Sequence, residues 1–367
     1  MGKVYSNLVV EKKESVVDEF LLLNPLTTPM LSLIGFSAPV YNTTHEWIEH
    51  EMIAQSAVTG GIGDEAGHTN LPIKGDVAET TFRVGQVIQM NAELLKVTAV
   101  VDDSNLTVVR GYAGTTRVAH ADDTVTKVLY NEAAEGADAR AARYQPGEKL
   151  SNITQIFDDS IVVTGSTAEI EKYGIDNIYE NEKQRKIVEL AFNLESALIS
   201  GVRHTSGQIR TFDGIKSFID TNVVDASVED ISKNLLNSVV QDVYDVGGLR
   251  GGNYTFIASP RQRRKIGELD AASLIIERSD NVRGERVDYI VTDLGTFPVR
   301  TNPNLNPDEV LFLDTNRVKI KPLGTRGFFH EFLGRKGDYY HGQIIGEYTL
   351  EFKQEKAHAR VRNLKTT

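Results

Sequence analysis

Asn24-Pro25-Leu26-Thr27-Thr28-Pro29-Met30-Leu31-Ser32-Leu33-Ile34-Gly35 is the stretch on which the reading of this chain turns. Pro25 and Pro29 bracket two threonines. Each ring fixes its own φ and pushes the preceding residue out of the α region, so extended or turn geometry is expected. Leu26, Met30, Leu31, Leu33 and Ile34 make the same stretch apolar. An extended arm of that composition cannot bury itself. It needs a surface elsewhere, on its own body or on a neighbouring copy. Leu26, Met30, Leu31, Leu33 and Ile34 are therefore candidate contacts between subunits.

Residues 1–40 read together as an arm. Upstream, Glu11 to Leu23 has helical spacing at Val16, Val17, Phe20, Leu21 and Leu23, and Pro25 ends it. Downstream, Thr44 to Met52 alternates like a strand and runs into the polar, glycine-rich Gly60-Gly61-Ile62-Gly63-Asp64-Glu65-Ala66-Gly67. That loop should be flexible and exposed. Gly61 and Gly63 join the candidate contacts on that ground.

Residues 82–131 carry the clearest β pattern. Leu95, Val97, Ala99 and Val101 alternate, Asp102-Asp103-Ser104-Asn105 turns, and Leu106 to Arg110 returns. Short strands with regular turns indicate a small β-barrel or β-sandwich. Residues 132–150 have linker composition. A β domain between a Gly-rich loop and an Ala/Gly linker reads as an insertion into one long loop, 41–81 and 132–150.

A second β stretch at Gln155 to Thr164 leads to the longest expected helix, 176–203, which would span about 42 Å. Ile187, Leu190, Ala191, Leu194 and Leu198 form its apolar stripe. Residues 221–300 alternate α and β: a helix from Asp230 to Val246, a buried strand Tyr254 to Ala258, and a helix starting at Pro260. Further strands follow at 309–321 and 339–361. The chain is thus α+β.

This order resembles that of tailed-phage major capsid proteins of the SU10 type, a branch of the HK97 capsid fold. The pieces that carry the resemblance are Asn24 to Gly35, Arg210-Thr211-Phe212-Asp213-Gly214-Ile215, Tyr254 to Pro260, and Gly346-Glu347-Tyr348-Thr349-Leu350-Glu351. Arg110-Gly111-Tyr112 with Gly114-Thr115-Thr116 and His120 is similar to a small β module of phage structural proteins. The resemblance implies an N-terminal arm (1–40), an extended loop (41–81 and 132–150) holding an inserted β domain (82–131), a peripheral domain (151–220 and 335–367) with a spine helix, and an axial domain (221–334). It implies copies of the chain closing into pentamers and hexamers around a genome, with scaffolding, portal and decoration proteins as further partners.

Composition narrows the alternatives. The 367 residues include no cysteine, which excludes disulfides, thiolate metal sites and cysteine nucleophiles. The net charge of −11 disfavours specific nucleic-acid binding, so packaged DNA would be held only non-specifically. No apolar run suits a membrane span and the N-terminus lacks a secretory h-region, so assembly in the host cytoplasm is expected. His45 and His50 stand five apart in an expected strand, where they face opposite sides, which favours a structural or exposed pair over a ligand pair. Gly61-Ile62-Gly63 with Gly67 departs from a dinucleotide fingerprint. No cofactor and no catalytic set is expected. Arg261-Gln262-Arg263-Arg264-Lys265 is the densest basic run, and Arg261 and Arg264 are candidates for a charged contact between subunits. Two other readings stay open at this stage: a cellular shell compartment of the same fold, and an enzyme with a site assembled in residues 221–334.

Overall fold

A computed structural model of the chain describes residues 28–64, 67–136, 138, 144–170, 177–249, 251–269, 288–335 and 337–366. Leu26 and the expected helix at 11–23 lie outside the described residues.

In chain order, helix α1 (Pro29–Ile34) precedes strand β1 (Thr44–Glu49). Then come β2 (Ser56–Thr59), β3 (Asn70–Pro72), the single turn α2 (Ala78–Thr81), β4 (Gln86–Met90), β5 (Glu93–Asp102), β6 (Asn105–Val109) and β7 (Thr124–Asn131). The chain returns through β8 (Glu148–Ile153), β9 (Gln155–Thr164) and α3 (Gly165–Glu169) to the long helix α4 (Ile178–Ser200). After it lie β10 (His204–Ser206), β11 (Ile209–Thr211), α5 (Ile215–Phe218), β12 (Val223–Asp225), α6 (Lys233–Asp245), β13 (Tyr254–Ala258) and α7 (Pro260–Glu268). The last strands are β14 (Asp288–Thr292), β15 (Gly295–Thr301), β16 (Val310–Asp314), β17 (Val318–Pro322), β18 (Phe329–Arg335), β19 (Tyr339–Phe352) and β20 (Ala359–Arg362).

The chain divides into two units, Ile48–Lys149 and the remainder. The first is a six-stranded antiparallel sheet in the order β2-β7-β4-β5-β6-β3. Its two edges meet. Gly60 N–H donates to the Pro72 carbonyl at 2.8 Å and Lys74 N–H to that of Val58 at 2.9 Å, so the sheet closes into a barrel. Closure leaves no edge strand to pair with other chains. Leu71, Phe82, Ile88, Met90, Leu95, Val97 and Leu106 fill the interior. The barrel therefore begins earlier than the expected residue 82, because β2 and β3 belong to it.

The second unit has two cores. A four-stranded sheet pairs β17 and β18 with one edge of the long β19 and β9 with the other. Helix α4 packs on it through Leu190, Leu194, Leu198 and Ile199. The helix starts at Asn177, whose Oδ1 accepts from Glu180 N–H at 3.2 Å, an N-cap. A six-stranded sheet, β12-β20-β16-β13-β15-β14, forms the other layer. Every residue of β13 is buried. Ile257 points to the α4 core, while Tyr254, Phe256 and Ala258 point to α6 and α7. A strand covered on both faces reads as a continuous apolar run, as this one does.

Sheet membership departs from the expected boundary between peripheral and axial domains. β17 and β18, expected in the axial part at 221–334, pair with β19. β20, expected in the peripheral part, pairs with β12 and β16 of the six-stranded sheet. Hydrophobic pattern shows that a strand is buried but not which sheet receives it.

Candidate functional site

The arm is where sequence and structure differ most. Pro29 does not extend the chain. It occupies the first position of α1, where its missing N–H costs nothing and its fixed φ suits a helix. Gly35, at φ 66°, ends the helix, a conformation that disfavours residues with a Cβ. Met30 is 1% exposed, and Leu31, Leu33 and Ile34 pack half-buried on the α4 core. These four side chains thus find burial on their own body, one of the two surfaces open to the arm.

Thr28, the N-cap position, offers α1 no side-chain acceptor. The acceptor comes from 165 residues away. Glu195, fully buried on α4, takes the N–H of Met30 on Oε1 and that of Leu31 on Oε2, both at 3.0 Å. Asn302 Nδ2 donates to the same carboxylate at 2.7 Å. Asn302 follows β15, and its own N–H donates to the Ala258 carbonyl at 2.9 Å. One side chain thereby ties the arm, the long helix and the six-stranded sheet. No cation pairs with Glu195 among the described residues. Amide dipoles supply the stabilisation that burial of a carboxylate requires. The signal was present in the sequence: a lone carboxylate inside the apolar stripe between Leu190 and Leu198.

Beyond Gly35 the arm lies beside β17. Ser37 N–H donates to the Ile320 carbonyl and Val40 N–H to that of Pro322, both at 2.8 Å, and Gly324 N–H donates back to Val40 at 2.7 Å. Two carboxylates of β19 hold neighbouring segments. Glu351 gathers His45 Nε2 at 2.5 Å, Lys321 Nζ at 2.7 Å and Lys353 Nζ at 3.0 Å. Burial alone would raise the Glu351 carboxyl; Lys321, His45 and Lys353 outweigh it and hold it at about 2. Glu347 accepts from Thr154 Oγ1 at 2.7 Å and Arg210 Nη2 at 3.0 Å. His45 is thus a hydrogen-bond partner of Glu351. Among the described residues no group of three His, Asp or Glu could hold a metal ion.

Arg210 to Ile215 forms the turn that returns the chain to α4. Phe212 and Ile215 are buried, and Asp213 Oδ1 accepts from Arg203 N–H at 2.9 Å and Ser217 Oγ at 2.7 Å. Gly214 passes so close to the helix end that a Cβ there would lie 2.6 Å from Gly201 N and 2.7 Å from the Ala197 carbonyl oxygen.

In the barrel, the Arg110-to-His120 motif surrounds one buried carboxylate. Arg110 clamps Glu93 through Nε and Nη2, each at 2.7 Å. His120 Nε2 lies 3.0 Å from Glu93 Oε2, and the Gly111 and Val118 N–H groups donate to the same carboxylate at 2.9 and 3.2 Å. Asn91 Nδ2 lies 3.3 Å from His120 Nδ1 on the far side of the ring. Burial would raise Glu93; Arg110, His120 and the two amides bring it down to about 2. The Gly61–Gly63 stretch belongs to this packing. Ile62 exchanges both backbone hydrogen bonds with His120, and the Gly63 carbonyl accepts from Arg110 Nη1 at 2.6 Å. These glycines pack on their own barrel and do not form the free loop expected of them.

Arg261 and Arg264 are exposed on α7. Outside the two cores, Tyr41 is 87% exposed, Met52 90% and Tyr144 84%. No helix of the described residues is long and apolar enough to cross a membrane.

The model of the SU10 major capsid protein family matches residues 2–365. The chain belongs to that family. No curated protein sequence matches it. Among solved structures it is similar to the capsid of a native GTA particle computed with C5 symmetry, at 11% identity and TM-score 0.54, covering 97% of this chain and 96% of that one. It is similar to a chain of Mycobacterium phage Adephagia at 10% identity and TM-score 0.52, covering 100% and 99%. The capsid of Myoviridae phage XM1 aligns at 11% identity and TM-score 0.50, covering 99% of each chain. The SU10-family chain therefore has the HK97-like capsid fold. It is a structural protein of a tailed-phage capsid, lies in the virion and self-assembles.

Proposed function

We propose that copies of this chain close into pentamers and hexamers that build an icosahedral or prolate head around the genome. The family match over residues 2–365 carries this reading. The chain works mechanically and catalyses nothing. Its strongly shifted titratable groups, Glu93, Glu351, Tyr254 and His358, are taken up in structural hydrogen bonds, and none of them lines the groove beside α7. Assembly takes place in the host cytoplasm with scaffolding and portal partners. The head holds DNA non-specifically, consistent with a net charge of −11.

The contacts between subunits fall, in this reading, on groups that the chain's own cores leave free. Met30 anchors the arm to its own body, so the arm's contribution comes from the chain before residue 28, Leu26 included. Exposed side chains such as Tyr41, Met52 and Tyr144 supply further apolar area for these contacts. Residues 48–149 act as a domain inserted in the extended loop, and its surface serves decoration proteins. The family match favours neither a cellular compartment nor an enzyme.

Electron microscopy of the expressed chain, alone and with its scaffolding partner, tests the reading. Closed shells are expected. A persistent small soluble species under both conditions would overturn it.

A further inference from the structure

Helix α7 carries Arg261, Arg264, Lys265 and Glu268 on one face, at i, i+3, i+4 and i+7. These four residues line an open groove of about 600 Å3. Its charges are unequally satisfied. Lys265 pairs with Asp230 at 3.0 Å. Arg264 touches Glu268 at 3.3 Å with its side chain 84% exposed, where such a pair contributes little. Arg261 is exposed and has no ion-pair partner among the described residues.

Helix α6 presents the opposite charge. Asp242, Asp245 and Val246 share one face, at i, i+3 and i+4. Asp245 accepts from Gln241 Nε2 at 2.6 Å. No cation stands beside Asp242 among the described residues, and burial together with Asp245 raises its carboxyl above the usual range. Val246 adds an exposed apolar side chain to the same edge. Both helices pack on one face of the six-stranded sheet. Among the described residues no ion pair joins the two sets within one subunit.

Charges of opposite sign, left unmatched on one domain of a self-assembling protein, fit a head-to-tail contact. Such a contact joins two different patches, and where the rotation closes it builds the ring that the reading above requires. We propose that the α7 groove of one copy receives the Asp242–Asp245 edge of α6 from the next copy in the ring. This rests on the ring-forming reading above and names the partner surface within it. A nucleic-acid phosphate fits less well, because Glu268 stands in the groove and no aromatic among the described residues lines it.

Charge reversal of the full-length chain tests the contact, with particle yield read by electron microscopy and sedimentation. Arg261→Glu with Arg264→Glu should lower shell yield at least about tenfold, as should Asp242→Lys with Asp245→Lys, because like charges then face each other at every ring contact. The four substitutions combined should restore most of the yield. Restoration also shows that the separate losses are not folding failures, and wild-type Trp47 fluorescence of each variant checks this independently. Wild-type yield from both double variants would overturn the contact while leaving the shell reading intact, as would failure of the combination to rescue. Normal shells that lose only DNA retention in the Arg261/Arg264 variant would overturn it in favour of phosphate binding. Absence of shells from the wild-type chain would sink the shell reading and this contact with it.

Discussion

The carboxylate of Glu195, on the long helix, accepts the backbone N–H of Met30 at 3.0 Å and so caps the arm helix from 165 residues away. Capping is ordinarily local, because the residue preceding a helix is best placed to reach its free N–H groups. Here the cap is a tertiary contact. The position of α1 therefore depends on one buried side chain.

Replacing Glu195 with Ala leaves the N–H groups of Met30 and Leu31 and the Asn302 amide without their acceptor. Each such loss costs about 1–3 kcal/mol, so a destabilisation of roughly 3 kcal/mol or more is expected. Hydrogen exchange checks the mechanism directly. The amides of Met30 and Leu31 should lose protection in Glu195→Ala, while barrel amides such as Leu95 keep theirs.

Arg110→Ala should act in the opposite place. It strips the bidentate partner from a buried carboxylate, a change worth about 3–5 kcal/mol. Limited proteolysis should show new cleavage within residues 48–149. The fluorescence of Trp47, the single tryptophan, belongs to the other unit and should be unchanged under native conditions.

Acid should weaken the two units over different ranges. Glu93 and Glu351 are held at about 2 in the folded chain against an unperturbed 4.5. Depressed carboxyls give stability that is full above the unfolded value and is lost as pH falls from about 4.5 towards 2, roughly 3 kcal/mol for each group. His358 acts earlier. Burial lowers it from 6.5 to about 4, while its Nδ1 accepts from Asp314 N–H at 3.2 Å and its Nε2 faces the Lys353 carbonyl at 3.2 Å. The unfolded chain takes up this proton below pH 6.5 and the folded chain does not until about pH 4. The larger unit should therefore lose stability from pH 6.5 downwards, by roughly 3 kcal/mol at pH 4. Urea midpoints followed by Trp47 fluorescence should fall over that range, and His358→Gln should flatten the fall.

Gly214→Ala should destabilise the chain by about 2–3 kcal/mol, because the added Cβ meets backbone atoms of the α4 end that cannot move aside. Thermal melting should show this. Gly207→Ala is a control of different kind, since its Cβ would meet nothing within 4 Å and only its φ of 59° carries a cost.

Read along the chain, the apolar periods placed most elements well. The expected strand at Tyr254 to Ala258 has those bounds, and the long helix runs from Ile178 to Ser200 against an expected 176–203. The turn Asp102 to Asn105 separates β5 from β6 as its composition requires. Those features are local, set by backbone preferences and by alternation of apolar residues. Proline restricts its neighbours and so suggests an extended arm, but proline also starts helices, and that choice depends on whether an acceptor waits for the next N–H groups. Gly61 and Gly63 looked like a free loop because glycine marks both freedom and close approach.

By itself, then, the sequence determined the α+β class, the order of the elements, the β-rich stretch that follows the arm and the absence of cysteine chemistry, all of which follow from local pattern and composition. Only the tertiary structure decided that the barrel starts before residue 82, that β18 and β20 join sheets other than those expected, and that Met30 is buried on its own subunit. It alone brought Glu195 to the arm, and Glu93 to Arg110 and His120. The physical reason is common to all of these: a buried polar group or a sheet edge is satisfied by whatever the fold carries to it, and separation along the chain places almost no limit on which residue that will be.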